Sequence, residues 1–144
     1  MKTHHILIVA ALSLLGAATG LHAADAMPGH AHASALTDAQ KQFLSGYEAV
    51  RAALAADDLA AAKTAAAALA GSPAAAALTK AQSLDAARGS FKKLSSQAVQ
   101  LANGQRGYHV AYCPMADSDW VQTTKTIGNP YLGRQMSACG DIKN

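Results

Sequence analysis

The sequence predicts a mainly all-α protein, a small antiparallel helical bundle closed by a sulfur-rich, partly irregular C-terminal segment. Three observations carry that expectation. Apolar residues recur at three- and four-residue steps through the first two-thirds of the chain, the repeat of a buried helix face. Helix-starting residues punctuate the same region at Thr37, Asp58, Ser72 and either Thr79 or Ser83. From Tyr108 the pattern changes, and both cysteines (Cys113, Cys139), the single Trp120 and two of the four methionines (Met115, Met136) collect before Gly140.

The N-terminus reads as an export signal. Lys2 precedes an apolar run from Ile6 to Leu15 broken only by Ser13, and Ala24-Asp25-Ala26 fits a small-residue cleavage pattern. An apolar stretch this short, with a cleavage site behind it, suits a secretory signal better than a membrane anchor. Residues 1–26 are therefore expected to be removed, with cleavage after Ala23 as the alternative. Residues 27–35, MPGHAHASA, form a flexible lead without apolar periodicity, in which His30 and His32 are weak metal candidates. The remainder, 36–144, is one domain's worth of chain, enough to bury a single core.

Charge excludes some functions. The net charge is +3 and Lys92-Lys93 is the only adjacent basic pair. No basic stripe with interleaved aromatics exists to track nucleic acid. No apolar run after the signal is long enough to span a bilayer.

Taken in order, the first helix begins after Thr37, where Thr37 and Gln40 have capping-box spacing. Phe43, Leu44, Tyr47, Val50 and Leu54 mark its inner face. Asp57-Asp58 interrupts that face and caps a second helix, with Leu59, Ala62, Ala66 and Leu69 inside. Gly71 stops it, and Ser72-Pro73 suits the N-cap and first position of the next piece. Residues 74–102 read as one continuous or broken helical stretch with Leu84, Ala87, Phe91, Leu94, Ala98 and Leu101 inward. Asn103-Gly104 ends it. The alanine runs favour helix and let neighbouring helices approach closely. Glu48 is the only glutamate, so a Glu-x-x-His metal bundle is excluded. No phosphate-binding Gly loop or G-x-S-x-G elbow is present.

Beyond Gly107, Tyr108, Val110 and Tyr112 alternate with His109, Ala111 and Cys113, which predicts a short extended segment ended by Pro114. A brief helical piece is expected over Trp120–Ile127, then a turn at Asn129-Pro130 and a short helical run from Tyr131 to Met136.

Thiolate and thioether sulfurs select soft ions such as Cu(I) or Ag(I). Cys113 and Met115, two apart, share one face of an extended segment. Met136 and Cys139, three apart, share one face of a helical turn. Folded together these half-sites offer up to four sulfur ligands, with His109 as a weaker contributor from the Cys113 face. The alternative uses the same atoms. In an oxidising compartment a Cys113–Cys139 disulfide closes a loop of about 26 residues, worth roughly 3.5 kcal/mol, with the methionines as core filler. A disulfide removes the thiolates that an ion needs, so the two readings exclude each other at any instant. Catalysis is not expected. Cys113 and His109 share a face and Asp117 or Asp119 lies near in sequence, yet nothing supplies an oxyanion hole, and no C-x-x-C is present for thiol exchange.

These residues resemble a known family. Tyr112-Cys113-Pro114-Met115-Ala116, Trp120-Val121-Gln122, Ile127, Asn129-Pro130-Tyr131, Gly133, Met136 and Cys139-Gly140 match in order the motifs YCPMA, W-L-Q, I-x-NPY-x-G and M-x-x-CG of the bacterial periplasmic family catalogued as domain of unknown function 3347. Arg88-x-x-Phe91-x-x-Leu94-Ser95 and the stretch from Leu54 to Ala62 are similar to its helical motifs. The likeness covers roughly residues 36–143. Members occur alone or fused to adaptor subunits of copper- and silver-type heavy-metal efflux systems. The resemblance implies a periplasmic protein that binds or hands over such ions, with an efflux adaptor or another envelope protein as partner. It implies Cys113, Met115, Met136 and Cys139 as ligands and Asn129, Pro130 and Tyr131 as turn residues; His109 lies outside the motif.

Overall fold

The computed structural model describes residues 34–69 and 71–143. The expected signal segment and the lead with His30 and His32 lie outside the described residues.

Four helices come first. α1 (Asp38–Ala55) opens on a reciprocal cap, in which Thr37 N–H donates to Gln40 Oε1 at 2.8 Å and Gln40 N–H to Thr37 Oγ1 at 3.3 Å. Each side chain thereby satisfies a backbone N–H that has no partner within the helix. Leu44, Tyr47, Val50 and Leu54 are buried along one stripe, while Phe43 is only half-buried at its edge. α2 (Leu59–Ala67) starts on Asp58, whose carboxylate accepts from Ala61 N–H at 2.8 Å. α3 (Pro73–Thr79) carries Ser72 as N-cap and Pro73 at its first turn, where proline's missing N–H costs nothing. Ser83 caps α4 (Leu84–Ala102), so residues 74–102 are two helices rather than one.

α4 is the structural spine. It packs against α1, α2 and α3 and also against the two strands of the hairpin beyond it. Ala87, Phe91, Leu94, Ser95, Ala98 and Ala102 form its buried side. Ala62, Ala66 and Ala75 are buried opposite or beside it, so alanine serves here as close-packing surface as well as helix former. None of the helices among the described residues is long and apolar enough to cross a membrane.

The chain beyond α4 corrects the all-α expectation. β1 (His109–Cys113) and β2 (Ser118–Gln122) form an antiparallel hairpin, and β3 (Asp141–Ile142) pairs antiparallel with the other edge of β1. The result is a mixed helix-and-sheet protein with strand order β2-β1-β3. β1 takes the place of the expected extended segment. The helix expected over Trp120–Ile127 is instead a strand to Gln122 and then a loop. The physical reason lies in burial. Trp120, Val121 and Gln122 are all buried, so β2 lacks the in-and-out alternation that betrays a half-exposed strand. Its edge position is blunted by α1, where Tyr47 Oη accepts the Val121 N–H at 3.2 Å. The short helical run expected from Tyr131 is a 3₁₀ turn at Gly133–Met136.

A line of rings joins the two halves. Tyr47 stacks on Phe91 at 4.9 Å between centroids, Phe91 meets Tyr131 at 5.8 Å, and Tyr131 meets the edge of Trp120 at 6.1 Å. The hydroxyls of this line converge on Ser95 Oγ, 2.8 Å from Tyr47 Oη and 2.9 Å from Tyr131 Oη. Burial raises both phenols well above the ordinary tyrosine range, so they remain neutral at any physiological pH. These rings are core.

Candidate metal centre

Two helix arginines fix the turn on which the site depends. Arg51, ion-paired with Glu48 at 2.8 Å, donates from Nη1 to the Gly128 carbonyl at 2.7 Å. Arg88 donates from Nε to the Pro130 carbonyl at 3.0 Å and pairs with Asp57. The residue between those two carbonyls is Asn129, fully buried. Its Oδ1 accepts the N–H groups of Tyr131 and Leu132 at 2.8 and 3.0 Å, and its Nδ2 donates to the Cys139 carbonyl at 2.7 Å. Its own N–H donates to the Ser137 carbonyl at 2.9 Å. One side chain thus ties the turn to the segment that carries Cys139.

The cysteine sulfurs meet at 2.9 Å. Cys113 ends β1 and is buried, whereas Cys139 is partly exposed. The β1–β3 register explains the meeting. It pairs Tyr112 with Asp141, and one further step sets Cys113 opposite Gly140, next to Cys139. Gly140 permits the approach with φ +130°, and a Cβ there would lie 2.6 Å from the Trp120 ring and 2.8 Å from the Tyr112 carbonyl oxygen. No other residue type fits that corner without displacement.

The two thiols are electrostatically unequal. Burial pushes Cys113 up, but the hydrogen bond from Cys139, the backbone N–H groups of Ala116 and Met115, and the Asn129 amide together outweigh it and leave Cys113 below the ordinary thiol value. Cys139 is raised, chiefly by its hydrogen bond with the Cys113 sulfur, with burial second. Of the two, Cys113 is the thiol biased towards ionisation and Cys139 the one biased towards keeping its proton. Thiolate is the form that binds soft metals.

The other expected ligands sit differently. Met115 lies in the four-residue turn of the β1–β2 hairpin and is 64% exposed; Met136 ends the 3₁₀ turn and is 38% exposed. Met136 is linked to the site through its backbone, its carbonyl accepting the Cys139 N–H at 3.0 Å. The structure thus brings together a dithiol, with two largely solvent-facing thioethers nearby in sequence. His109 shares the Cys113 face of β1 but stands four positions away, about 13 Å along a strand, and is not brought to the sulfurs. Asp117 accepts from Tyr112 Oη at 3.0 Å and Asp119 pairs with Lys143 at 3.0 Å, so neither orients an imidazole. Among the described residues, no group of three or more His, Cys, Asp or Glu side chains surrounds a common point. The donor set fits a soft ion of low coordination number and does not fit a tetrahedral zinc site.

Sequence reasoning assigned Asn129 only to the turn and missed its second role beside the sulfurs. The available signal was an Asn preceding Pro, a side chain that readily accepts from backbone N–H groups two and three residues on. The donors from Met115 and Ala116 are backbone groups, invisible in residue identity.

Comparison with protein-family models, with curated proteins and with solved structures gives no match. The resemblance to the periplasmic family rests on the motif residues alone.

Proposed function

We propose that this chain is an exported, non-catalytic binding protein for a soft monovalent ion, Cu(I) or Ag(I), serving metal resistance or hand-over to an efflux adaptor. The observation that carries the reading is the pair of sulfurs 2.9 Å apart, one of which, Cys113, has its ionised form favoured by four hydrogen-bond donors. Cys113 and Cys139 supply the thiolates, and Met115 and Met136 are thioether donors that add to the shell or receive the ion at the surface. Periplasmic location and the adaptor partner are supported by the signal-like N-terminus and by the family resemblance.

The partly exposed Cys139 gives an ion a route in, while burial of Cys113 and Trp120 keeps one side of the pair dry. Low dielectric strengthens the attraction between a thiolate and a cation. Binding displaces the thiol protons, so affinity rises with pH until both thiols have ionised.

The test is a competition titration of reduced protein against a Cu(I) chelator. One ion bound per chain, with binding lost in Cys113→Ser and in Cys139→Ser and weakened in Met115→Leu or Met136→Leu, is the expected result. Reduced, folded protein that takes no ion contradicts the reading. It would leave the second one, an interaction module braced by a Cys113–Cys139 disulfide, which the same sulfur proximity favours.

A further inference from the structure

The dithiol is asymmetric in a way that metal binding alone does not require. Cys139 is partly exposed beside Gly140, whereas Cys113 is fully buried at the end of β1. A reagent from solution reaches only the first. The second waits 2.9 Å behind it.

We propose that Cys139 is a site of thiolation by small disulfides and that Cys113 is its resolving partner. In the first step the Cys139 sulfur attacks one sulfur of a low-molecular-weight disulfide, R–S–S–R. A Cys139–S–S–R bond forms, the R–S–S–R bond breaks, and the departing sulfur leaves as R–SH with the proton given up by Cys139. In the second step the Cys113 sulfur attacks the Cys139 sulfur. A Cys113–Cys139 bond forms, the bond to R breaks, and the second R–SH leaves with the proton from Cys113. Two protein thiols are oxidised and one disulfide is reduced to two thiols. Reduction runs in reverse order, a small thiol attacking the exposed sulfur of Cys139 first.

Geometry gives this order its direction. Cys113 is fully buried, so an attacking molecule meets the partly exposed Cys139 first. Asn129 also holds the Cys139 carbonyl at 2.7 Å, so the segment bearing the mixed disulfide stays beside the resolving thiol. The short span between the sulfurs makes the second step intramolecular and fast relative to the first. The exchange needs the free dithiol and stands whether or not the metal reading holds. Its consequence for the ion, release when the disulfide closes, rests on the metal reading above.

The experiment exposes reduced, metal-free protein to glutathione disulfide in the presence of a chelator and follows intact mass and peptide maps with time. Wild type is expected to pass to the internal disulfide with little standing adduct. Cys113→Ser should stop with one glutathione on Cys139, and folded Cys139→Ser should lose adduct formation. Rapid alkylation of wild type during the reaction serves as a control that needs no variant, and it should find Cys139 modified before Cys113. Equal adduct formation on Cys113 and Cys139, or wild type that accumulates a stable mixed disulfide, overturns the proposal. Since no metal is present, neither outcome bears on ion binding.

Discussion

The helical half and the C-terminal half of this protein are held by different physics. Residues 38–102 are held by repetition, with caps at each start and an apolar stripe every turn, and much of that stripe is alanine. Residues 109–142 contain only twelve residues in strands and lean on single side chains that bond backbone. Gln122 accepts from Trp120 Nε1 and Gly128 N–H and donates to the carbonyls of Thr124 and Thr126; Asn129 does comparable work at the next turn. The lesson is a division of labour. A repetitive half supplies a rigid wall, and an irregular half uses a few fully committed polar residues to place two sulfurs.

That contrast can be broken most severely at the joint between the halves. Phe91→Ala removes the ring between Tyr47 and Tyr131, and is expected to cost about 3–5 kcal/mol of stability, read as a fall in the denaturant midpoint. Thiol reactivity in the folded fraction should change little, because Phe91 supplies none of the hydrogen bonds to the Cys113 sulfur.

Asn129→Ala is the sharper cut. It strands the Tyr131 and Leu132 N–H groups and the Cys139 carbonyl, at about 1–3 kcal/mol for buried groups left without partners. Unlike Phe91→Ala it should also raise the Cys113 thiol, by removing one donor to the thiolate, as read by the pH dependence of thiolate absorbance. A variant equally destabilised but with unchanged thiol titration would separate Asn129 from the site.

Gly140→Ala should act by displacement. A methyl group against Trp120 and the Tyr112 carbonyl forces the β1–β3 corner apart, for about 1–3 kcal/mol. It should slow closure of the Cys113–Cys139 disulfide more than it lowers stability.

The smallest effect is electrostatic and lies on the helical side of the joint. The Arg134 N–H, then the Arg88 guanidinium, hold the Asp57 carboxyl below its ordinary value of 3.8. A depressed carboxyl stabilises the fold above its unfolded value and loses that contribution as pH falls through the folded one. Stability should therefore decline as pH drops below about 4, and Asp57→Asn should flatten that limb of the curve while leaving thiol chemistry untouched.

Much of the helical half was legible from local signals. Thr37 with Gln40, Asp58, Ser72 with Pro73, and Ser83 all stand where the helices begin, since capping is a contact between residues three apart. Phe43, Leu59, Leu84 and Leu101 were expected inside and are half-buried at stripe edges, where periodicity has no resolution. The sheet was only partly legible. β1 shows alternation; β2 hides it because its last three residues are all covered, and β3 is two residues long, created by pairing rather than by composition. At the site, the meeting of Cys113 and Cys139 was among the expectations. The inequality of the two thiols was not, because it comes from backbone N–H groups and from Asn129, 16 residues from Cys113 in sequence and joined to it only by the fold.

Joint capture of a soft ion by the two sulfurs is the proposal on which the functional reading depends. X-ray absorption at the copper edge, on reduced protein loaded with one equivalent of Cu(I), addresses it most directly. The expected result is a first shell of sulfur alone at low coordination number, altered in Cys139→Ser, with both thiols masked from alkylation while the ion is bound. A shell of nitrogen or oxygen, or copper bound with both thiols still free to react, would contradict it.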